Sequence, residues 1–523
     1  MIIFLDIETN KNGKIIIIGV MNIDGEYQYF SNAIEFYNWL KQQKNIKRIY
    51  AYNLEFDFMK IWQELYNADI KIKFSAWTNT NGVVVIQMGR IYMYDLLLHF
   101  DGGLANFGKI IGKEKLKIDY DKIEKINNEL IEYNKRDLEL TRELYMRLEK
   151  IYKNEYVSVK ASISSNALEI FNKRFFGGKY EKISEEDLGI FRLAYKGGWC
   201  EVFIPGEHKG HFYYVDVNSL YPYVMLSEYP KCIYERITPR QYKYDEMIEK
   251  IKNKYWLGFN LEDGLAYNNI EHIYTPGMHQ SLTFIYIFPE ICYPFRQFIN
   301  YFNNKKELSS DLFERKIYKR LMNSLYGRFA MKSYITKILF GIDNINEIYK
   351  IKNIIEYSQY GQKDIYQIKV KAKYQYYVNI IWSLYTTAKA RRYMRDMYDI
   401  FTNFGVRIFY IDTDCFIVDT IEPIQEFIDE KKIGYFKIQK EADIINILGK
   451  KMYRFGDEYV VKGIENEKAK EFFEKGAVLV KRMIKWRTAL NKNQLIGNFY
   501  VKEIQNKTNI INYEWTEEDN PFL

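Results

Sequence analysis

Asp6 and Glu8 stand two apart in an apolar run that reads as a strand, so both carboxylates face one side. Isolated pairs of this kind are common by chance. A further acid, Asp57, lies in Tyr52-Asn53-Leu54-Glu55-Phe56-Asp57, where a strand passes into a helix. Tyr133 and Asp137 are one helical turn apart and face the same way. Hydrolysis of a phosphodiester by two metal ions needs several carboxylates to hold the ions and a group to position the attacking water. In that chemistry Asp6, Glu8, Asp57 and Asp137 hold metal and Tyr133 orients the water. Read singly, they are surface acids and a core tyrosine. Their shared placement at strand ends and on a helix face of one small unit favours the first reading.

A second set follows. Asp216 ends a hydrophobic strand in Asp216-Val217-Asn218-Ser219-Leu220-Tyr221-Pro222, where it reads as a metal ligand. Much later, Tyr410-Ile411-Asp412-Thr413-Asp414 sits at the turn of an apolar hairpin. Two acids in such a hairpin are costly unless they bind a cation or a partner. Between these segments lies Lys319-Arg320-Leu321-Met322-Asn323-Ser324-Leu325-Tyr326-Gly327. Lys319, Asn323 and Tyr326 share a helical face. The lysine can grip a triphosphate and the tyrosine can stack on a nascent base pair. Taken alone, that segment reads equally as an ordinary amphipathic basic helix.

The elements that must position these groups fall into two blocks. Strands over 1–6, 14–21, 46–52 and 83–95 alternate with helices over 34–44, 56–68 and 123–152, an α/β unit ending near residue 155. A second block carries helices over 163–175, 312–326 and 381–401, a strand over 212–217, and a hairpin over 407–419. The stretches 226–305 and 331–377 read as irregular. The tail beyond Tyr453 alternates short strands and helices.

The order of these segments resembles that of family B DNA polymerases, and most of all the protein-primed replicative polymerases of small linear-genome phages. Asp6-Ile7-Glu8, Asn53…Phe56-Asp57 and Tyr133…Asp137 resemble three exonuclease motifs. Asp216…Ser219-Leu220-Tyr221-Pro222, Lys319…Asn323-Ser324…Tyr326-Gly327 and Tyr410…Asp412-Thr413-Asp414 resemble three palm and fingers motifs. The resemblance implies an α/β multidomain chain: an N-terminal RNase H-like 3′–5′ exonuclease domain, then a right-hand polymerase with two insertions. It divides the chain into exonuclease (1–155), palm start (156–226), a first insertion that docks a terminal protein (227–304), fingers (305–330), a second insertion for strand displacement and processivity (331–378), palm (379–453) and thumb (454–523). Asp216 and Lys319 stand 103 residues apart, more than the two motifs need, and the 70 residues after Tyr453 suit a small thumb.

The resemblance also implies residue roles. Asp216, the Val217 carbonyl and Asp414 hold two metal ions, Mg²⁺ or Mn²⁺, with Asp412 in support. Asp6, Glu8, Asp57 and Asp137 hold two in the exonuclease. Lys319 binds triphosphate, with Arg315 and Lys305 or Lys306 nearby. Leu220, Tyr221, Asn323 and Tyr326 form the nucleotide pocket, in which Tyr221 excludes a 2′-hydroxyl. Tyr195-Lys196-Gly197-Gly198 resembles the loop that contacts template and balances synthesis against degradation. Thr387, Arg391, Lys451 and Tyr453 resemble primer contacts. Thr9, Asn53 and Phe56 resemble contacts to a single-stranded 3′ end, and Lys115 a catalytic-support lysine. One position departs from the pattern. Leu96 follows Asp95 where Ser or Thr is usual, and it offers no hydrogen bond. The DNA contact there is lost or made by another residue.

Composition sets outer bounds. The chain has 523 residues, 47% hydrophobic and 28% charged, a multidomain globular profile. Its formal charge of +8 fits either solubility or a phosphate-bearing partner. The 48 Tyr and 34 Phe fit both a core and base stacking. Four scattered cysteines indicate neither zinc nor disulfides, and five histidines leave carboxylates as the metal ligands. The start carries no signal-peptide pattern and no apolar stretch reaches about eighteen residues, so a cytoplasmic chain without a membrane segment is expected. The expected partners are DNA template-primer, deoxynucleoside triphosphates and a terminal protein. The alternatives are a family B enzyme that extends only RNA or DNA primers, a DNA-binding structural protein with an inactive core, and an exonuclease alone. The last leaves Asp216, Lys319 and Asp412–Asp414 unexplained.

Overall fold

The strand Ile2–Thr9 pairs antiparallel with Ile15–Asn22 and parallel with Arg48–Ala51, which pairs parallel with Ile91–Asp95. Its inward residues Ile3, Leu5 and Ile7 are buried, as a central strand covered on both faces requires. The helix Leu54–Asn67 packs one side through Leu54, Phe58, Ile61 and Leu65. The helix Asn128–Asn154 packs the other through Leu138, Leu144 and Leu148. The computed structural model describes residues 1–10, 13–79, 82–119, 124–360, 364–372, 379–483 and 499–505.

The long helix starts later than the pattern over 123–152 predicts. Asn127 stops it, accepting from the Leu130 N–H at 2.8 Å as an N-cap. Residues 120–123 lie outside the described residues.

Two stretches expected to be irregular are ordered sheets. Within 226–305, Glu235–Ile237, Phe284–Phe288, Tyr255–Asn260 and Leu265–Asn268 form a four-stranded antiparallel sheet in that spatial order. Within 331–377, Tyr334–Phe340, Ile354–Gln359 and Ile365–Lys371 form three antiparallel strands. Thr336–Phe340 then pairs with Phe74–Thr78, so these strands continue the N-terminal sheet to ten strands. Phe340 stacks on Phe74 with centroids 4.2 Å apart, and Asp343 binds Lys71 and Lys73 at the seam. The sequence pattern missed both sheets because several partners lie far along the chain and Tyr334–Phe340, with Lys337 at its centre, shows no clean alternation.

A seven-stranded antiparallel sheet carries the second acid set. Its spatial order is Glu458–Val461, Met452–Phe455, Phe436–Gly449, Gly206–Val217, Cys415–Val418, Ile408–Asp412 and Cys200–Val202. The helix Ile380–Asn403 backs it through Ala390, Met394 and Phe401. Beside it stands the helix pair Arg296–Leu308 and Leu312–Leu325, joined by a short turn that Asp311 caps. The first of these helices straddles the boundary expected at residue 304. Of the tail, Asn466–Lys475 is a helix and Ala477–Met483 pairs with Phe499–Gln505. The first residues of the expected thumb, through Glu458–Val461, belong to the seven-stranded sheet, and residues 484–498 and 506–523 lie outside the described residues.

Candidate active sites

Asp6 sits opposite Gly19 in the Ile2–Thr9 strand, and Glu8 shares its face. Asp137 approaches from the helix Asn128–Asn154. Ligand atoms of Asp6, Glu8 and Asp137 lie within 4.8 Å of one another, the only such acid, His or Cys group among the described residues. Asp57 faces the same cluster from the first turn of Leu54–Asn67 but stands outside that close set. Its helix starts at Asn53, held at φ +80° while its N–H donates to Asp95 Oδ1 at 3.0 Å. Asp95 also caps the following turn through the Leu97 N–H, and burial pushes its carboxyl up to about 6.

These acids suit a cation. Glu8, Asp57 and Asp137 are buried, and Asp57 Oδ2 and Asp137 Oδ1 have no hydrogen-bond partner in the protein. Burial first, and neighbouring carboxylates second, hold Asp6 and Asp57 well above the usual carboxylate range. Burial raises Asp137 too, against the Lys115 ammonium 2.5 Å from its Oδ2. A divalent ion would satisfy both the orphaned oxygens and the repulsion. Lys115 also lies 5.1 Å over the Tyr133 ring, so it ties the predicted water-orienting residue to a predicted ligand.

Thr9 ends its strand half-buried, and Phe56 packs against the helix core. Leu96 is fully buried, so that position serves packing here. Sequence reasoning missed Asn134, whose amide donates to Asp6 Oδ2 at 2.8 Å. Its signal was a second polar residue beside Asp137 on the face that Leu130, Tyr133 and Leu138 bury.

The second site lies where the Gly206–Val217 strand meets the Asp412–Cys415 turn. Asp216 is opposite Cys415 on one side and Lys437 on the other, with Lys437 Nζ 3.7 Å from Asp216 Oδ1. Thr413 takes φ +66°, and its N–H donates to the Trp199 carbonyl at 2.7 Å. Burial, then Asp216 and Asp412, push Asp414 up to about 7. Burial also raises Asp216, against Lys437 and Lys319. Asp412 is held apart: Lys451 Nζ lies 3.6 Å from one oxygen and Tyr410 OH 3.4 Å from the other.

Ser219 in the left-handed region, φ +58°, opens the helix Leu220–Met225. Leu220 turns into the core and Tyr221 stacks on Tyr326, centroids 4.7 Å apart and planes at 19°. Tyr326 lies in the turn after the helix and is buried, and Asp414 acts on it as on Lys319. Lys319 feels Asp216 and Asp414, while crowding by the protein and by Lys437 lowers its pKa. Asn323 is half-buried, and Arg315 reaches the Ser309 carbonyl at 3.5 Å. The two candidate lysines separate. Lys306 neighbours Lys319, whereas Lys305 binds the buried Glu155 at 2.5 Å.

The remaining predicted DNA contacts are mostly engaged within the protein. Gly198 abuts the Asp412–Asp414 turn; a Cβ there would fall 2.7 Å from Thr413 Cγ2. Tyr195 is buried, its hydroxyl without a partner. Arg391 pairs with Glu271 through two nitrogens, at 2.8 and 2.6 Å, and donates to the carbonyls of Lys196 and Gly197. It therefore ties the first insertion to the Tyr195–Gly198 loop. Thr387 is buried and donates to the Leu384 carbonyl at 3.0 Å. Tyr453 packs on Tyr410, and the Lys451 N–H donates to the Tyr410 hydroxyl at 2.9 Å.

Comparison with known proteins agrees with this geometry. The model of DNA polymerase type B, organellar and viral, matches residues 104–259 and 259–379, more than half of the chain. The DNA polymerase of Bacillus phage phi29 is 24% identical over 503 residues, 83% of this chain and 82% of that protein. The DNA-directed DNA polymerase of Enterobacteria phage PRD1 is 26% identical over 407 residues, 71% of this chain and 67% of that one. A probable DNA polymerase of Agaricus bitorquis is 28% identical over 277 residues, covering 45% of this chain but only 33% of the fungal protein. In three dimensions, phi29 DNA polymerase complexed with primer-template DNA and incoming nucleotide substrates superposes with a TM-score of 0.72 at 19% identity, over 97% of this chain and 100% of that one. The fold that holds the two acid sets is shared with that polymerase. The chain belongs to the DNA polymerase type B family, organellar and viral.

Proposed function

We propose that this chain copies a DNA template, removes nucleotides from the 3′ end in its N-terminal domain, and starts new chains on a terminal protein. The observation that carries the reading is the separation of the two acid sets. Asp6, Glu8 and Asp137 converge on one sheet, and Asp216 and Asp414 on another. Two divalent ions in each site, Mg²⁺ with Mn²⁺ as substitute, supply Lewis acidity at phosphate oxygens and lower the pKa of the attacking hydroxyl or water. In the polymerase site Asp216, the Val217 carbonyl and Asp414 hold them, and Asp412 with Lys451 steadies the strand end. Lys319 and Lys306 take the triphosphate, and Tyr221, braced by Tyr326, lies beneath the sugar. In the exonuclease Asp6, Glu8, Asp57 and Asp137 hold the ions, and Tyr133, beside Lys115, orients the water.

Protein priming is supported by the first insertion, which builds its own four-stranded sheet and an apolar cluster around Trp256 and Ile285. With that cluster as its buried core, the insertion would dock the priming protein on its outside, where Leu261, Leu265 and Ile273 are exposed, and the partner's hydroxyl would take the place of a primer 3′-hydroxyl at Asp216 and Asp414. The second insertion, continuous with the exonuclease sheet, suits strand displacement. The test mixes the protein with a candidate terminal protein, one labelled deoxynucleotide and Mg²⁺ or Mn²⁺. A labelled protein band that survives denaturation and vanishes with Asp414→Ala supports priming. No band across candidate partners and origin templates, beside vigorous extension of ordinary primers, would favour an enzyme that uses RNA or DNA primers only.

A further inference from the structure

Asn134 lies on the helix Asn128–Asn154 between Tyr133 and Asp137 and is fully buried. Its amide nitrogen is 2.8 Å from Asp6 Oδ2 and 3.4 Å from the Asp6 carbonyl. Its amide oxygen accepts from the Tyr27 hydroxyl at 3.0 Å. Tyr27 belongs to the strand Tyr27–Phe30 at one edge of the ten-stranded sheet. Gly19, opposite Asp6 in the neighbouring strand, leaves the room: a Cβ there would fall 1.8 Å from the Asn134 amide oxygen. Three elements thus build a seat for one side-chain amide.

A buried amide is costly unless its donors and acceptor are used. Here the Asp6 carboxylate and carbonyl, which only accept, fix the NH₂ toward Asp6, and the Tyr27 hydroxyl donates to the amide oxygen left on the other side. A neutral donor occupies one Asp6 oxygen without adding a positive charge that would compete with a cation. Lys115, by contrast, brings a charge to Asp137.

We propose that Asn134, aimed by Tyr27, is a positioning residue of the exonuclease: it fixes the Asp6 carboxylate in the orientation that lets Asp6, Glu8 and Asp137 close on one divalent ion. The inference rests on the reading of those three acids as metal ligands. Hydrogen-bond partners that orient a metal ligand typically contribute about 10–100-fold in metal affinity or activity.

The experiment measures Mn²⁺ binding by electron paramagnetic resonance in full-length protein carrying Asp216→Ala and Asp414→Ala, so that the exonuclease site is read alone. Adding Asn134→Leu should weaken Mn²⁺ binding by about 10–100-fold, and Tyr27→Phe should weaken it less and in the same direction. In otherwise unaltered protein, Asn134→Leu should lose 3′→5′ degradation, regain part of it at high Mn²⁺, and keep primer extension. Unchanged Mn²⁺ affinity in Asn134→Leu overturns the proposal. Should that variant fail to fold, unchanged affinity in Tyr27→Phe overturns it instead. Asp6→Ala separates the two levels: if it too leaves Mn²⁺ binding intact, the metal-ligand reading falls, whereas its loss beside an unaffected Asn134→Leu removes only the positioning role.

Discussion

The Val217 N–H donates to the Asp414 carbonyl at 2.7 Å, so the two acid-bearing segments of the polymerase site are locked by backbone, not by side chains. The backbone of the two segments therefore keeps its arrangement when either carboxylate is removed. Asp414→Ala or Asp216→Ala should cut primer extension by about 10²–10³-fold or more, the scale on which loss of one preorganised electrostatic group acts, and leave degradation of single strands intact. Primer-extension and exonuclease assays on one preparation check this. Normal extension by the Asp414 variant would sink the assignment.

Replacing Asp6 and Glu8 together with Ala should abolish 3′→5′ degradation while extension persists, because those acids stand on the other sheet. Equal loss of both activities in a variant with an unchanged melting curve would contradict two independent sites.

Tyr221→Val should raise the ratio of ribo- to deoxynucleotide incorporation. The change opens space beneath the sugar and removes the stacking on Tyr326, an interaction worth about 0.5–1.5 kcal/mol. Steady-state incorporation of matched nucleotide pairs reads the ratio, and an unaltered ratio would argue against Tyr221 as the gate.

Gly198→Ala should slow extension by up to about 10²-fold, since small displacements of reacting groups act on that scale, and spare the exonuclease. The added Cβ would press on Thr413, the residue before Asp414, at 2.7 Å. Single-turnover incorporation is the measurement; a wild-type rate would mean the turn yields without moving Asp414.

Metal-free protein should melt at a higher temperature at pH 6 than at pH 8. Burial, aided by neighbouring carboxylates at Asp6, Asp57 and Asp414, holds these acids above their unfolded value, Asp414 at about 7. The native chain then binds more protons than the unfolded one from about pH 4 to about pH 7, so stability falls as pH rises through that window. Mg²⁺ should raise the melting temperature more at pH 8 than at pH 6, because it replaces the missing protons. Melting curves in chelator and in Mg²⁺ test both statements; a chelated protein equally stable at both pH values would refute them.

The sequence by itself determined the acids, their order and the local elements that carry them. Asp6 and Glu8 share a face because strands repeat every two residues, and Tyr133 and Asp137 approach because helices repeat near four. The apolar run around Asp412–Asp414 specified a hairpin in the same way. Long-range pairing decided the rest, since no local pattern records which distant strand or ion completes an element. Only the tertiary structure joined Tyr334–Phe340 to Phe74–Asn79, and so made the 331–377 stretch part of the N-terminal sheet. It also committed Arg391 to Glu271 and the Tyr195–Gly198 loop, sank Thr387 into the core and divided Lys305 from Lys306. Asn134 shows the reason most directly. Its place in the sequence marks a polar residue on the buried helix face, but its burial is tolerable only because Tyr27, Gly19 and Asp6, from three different strands, converge on it.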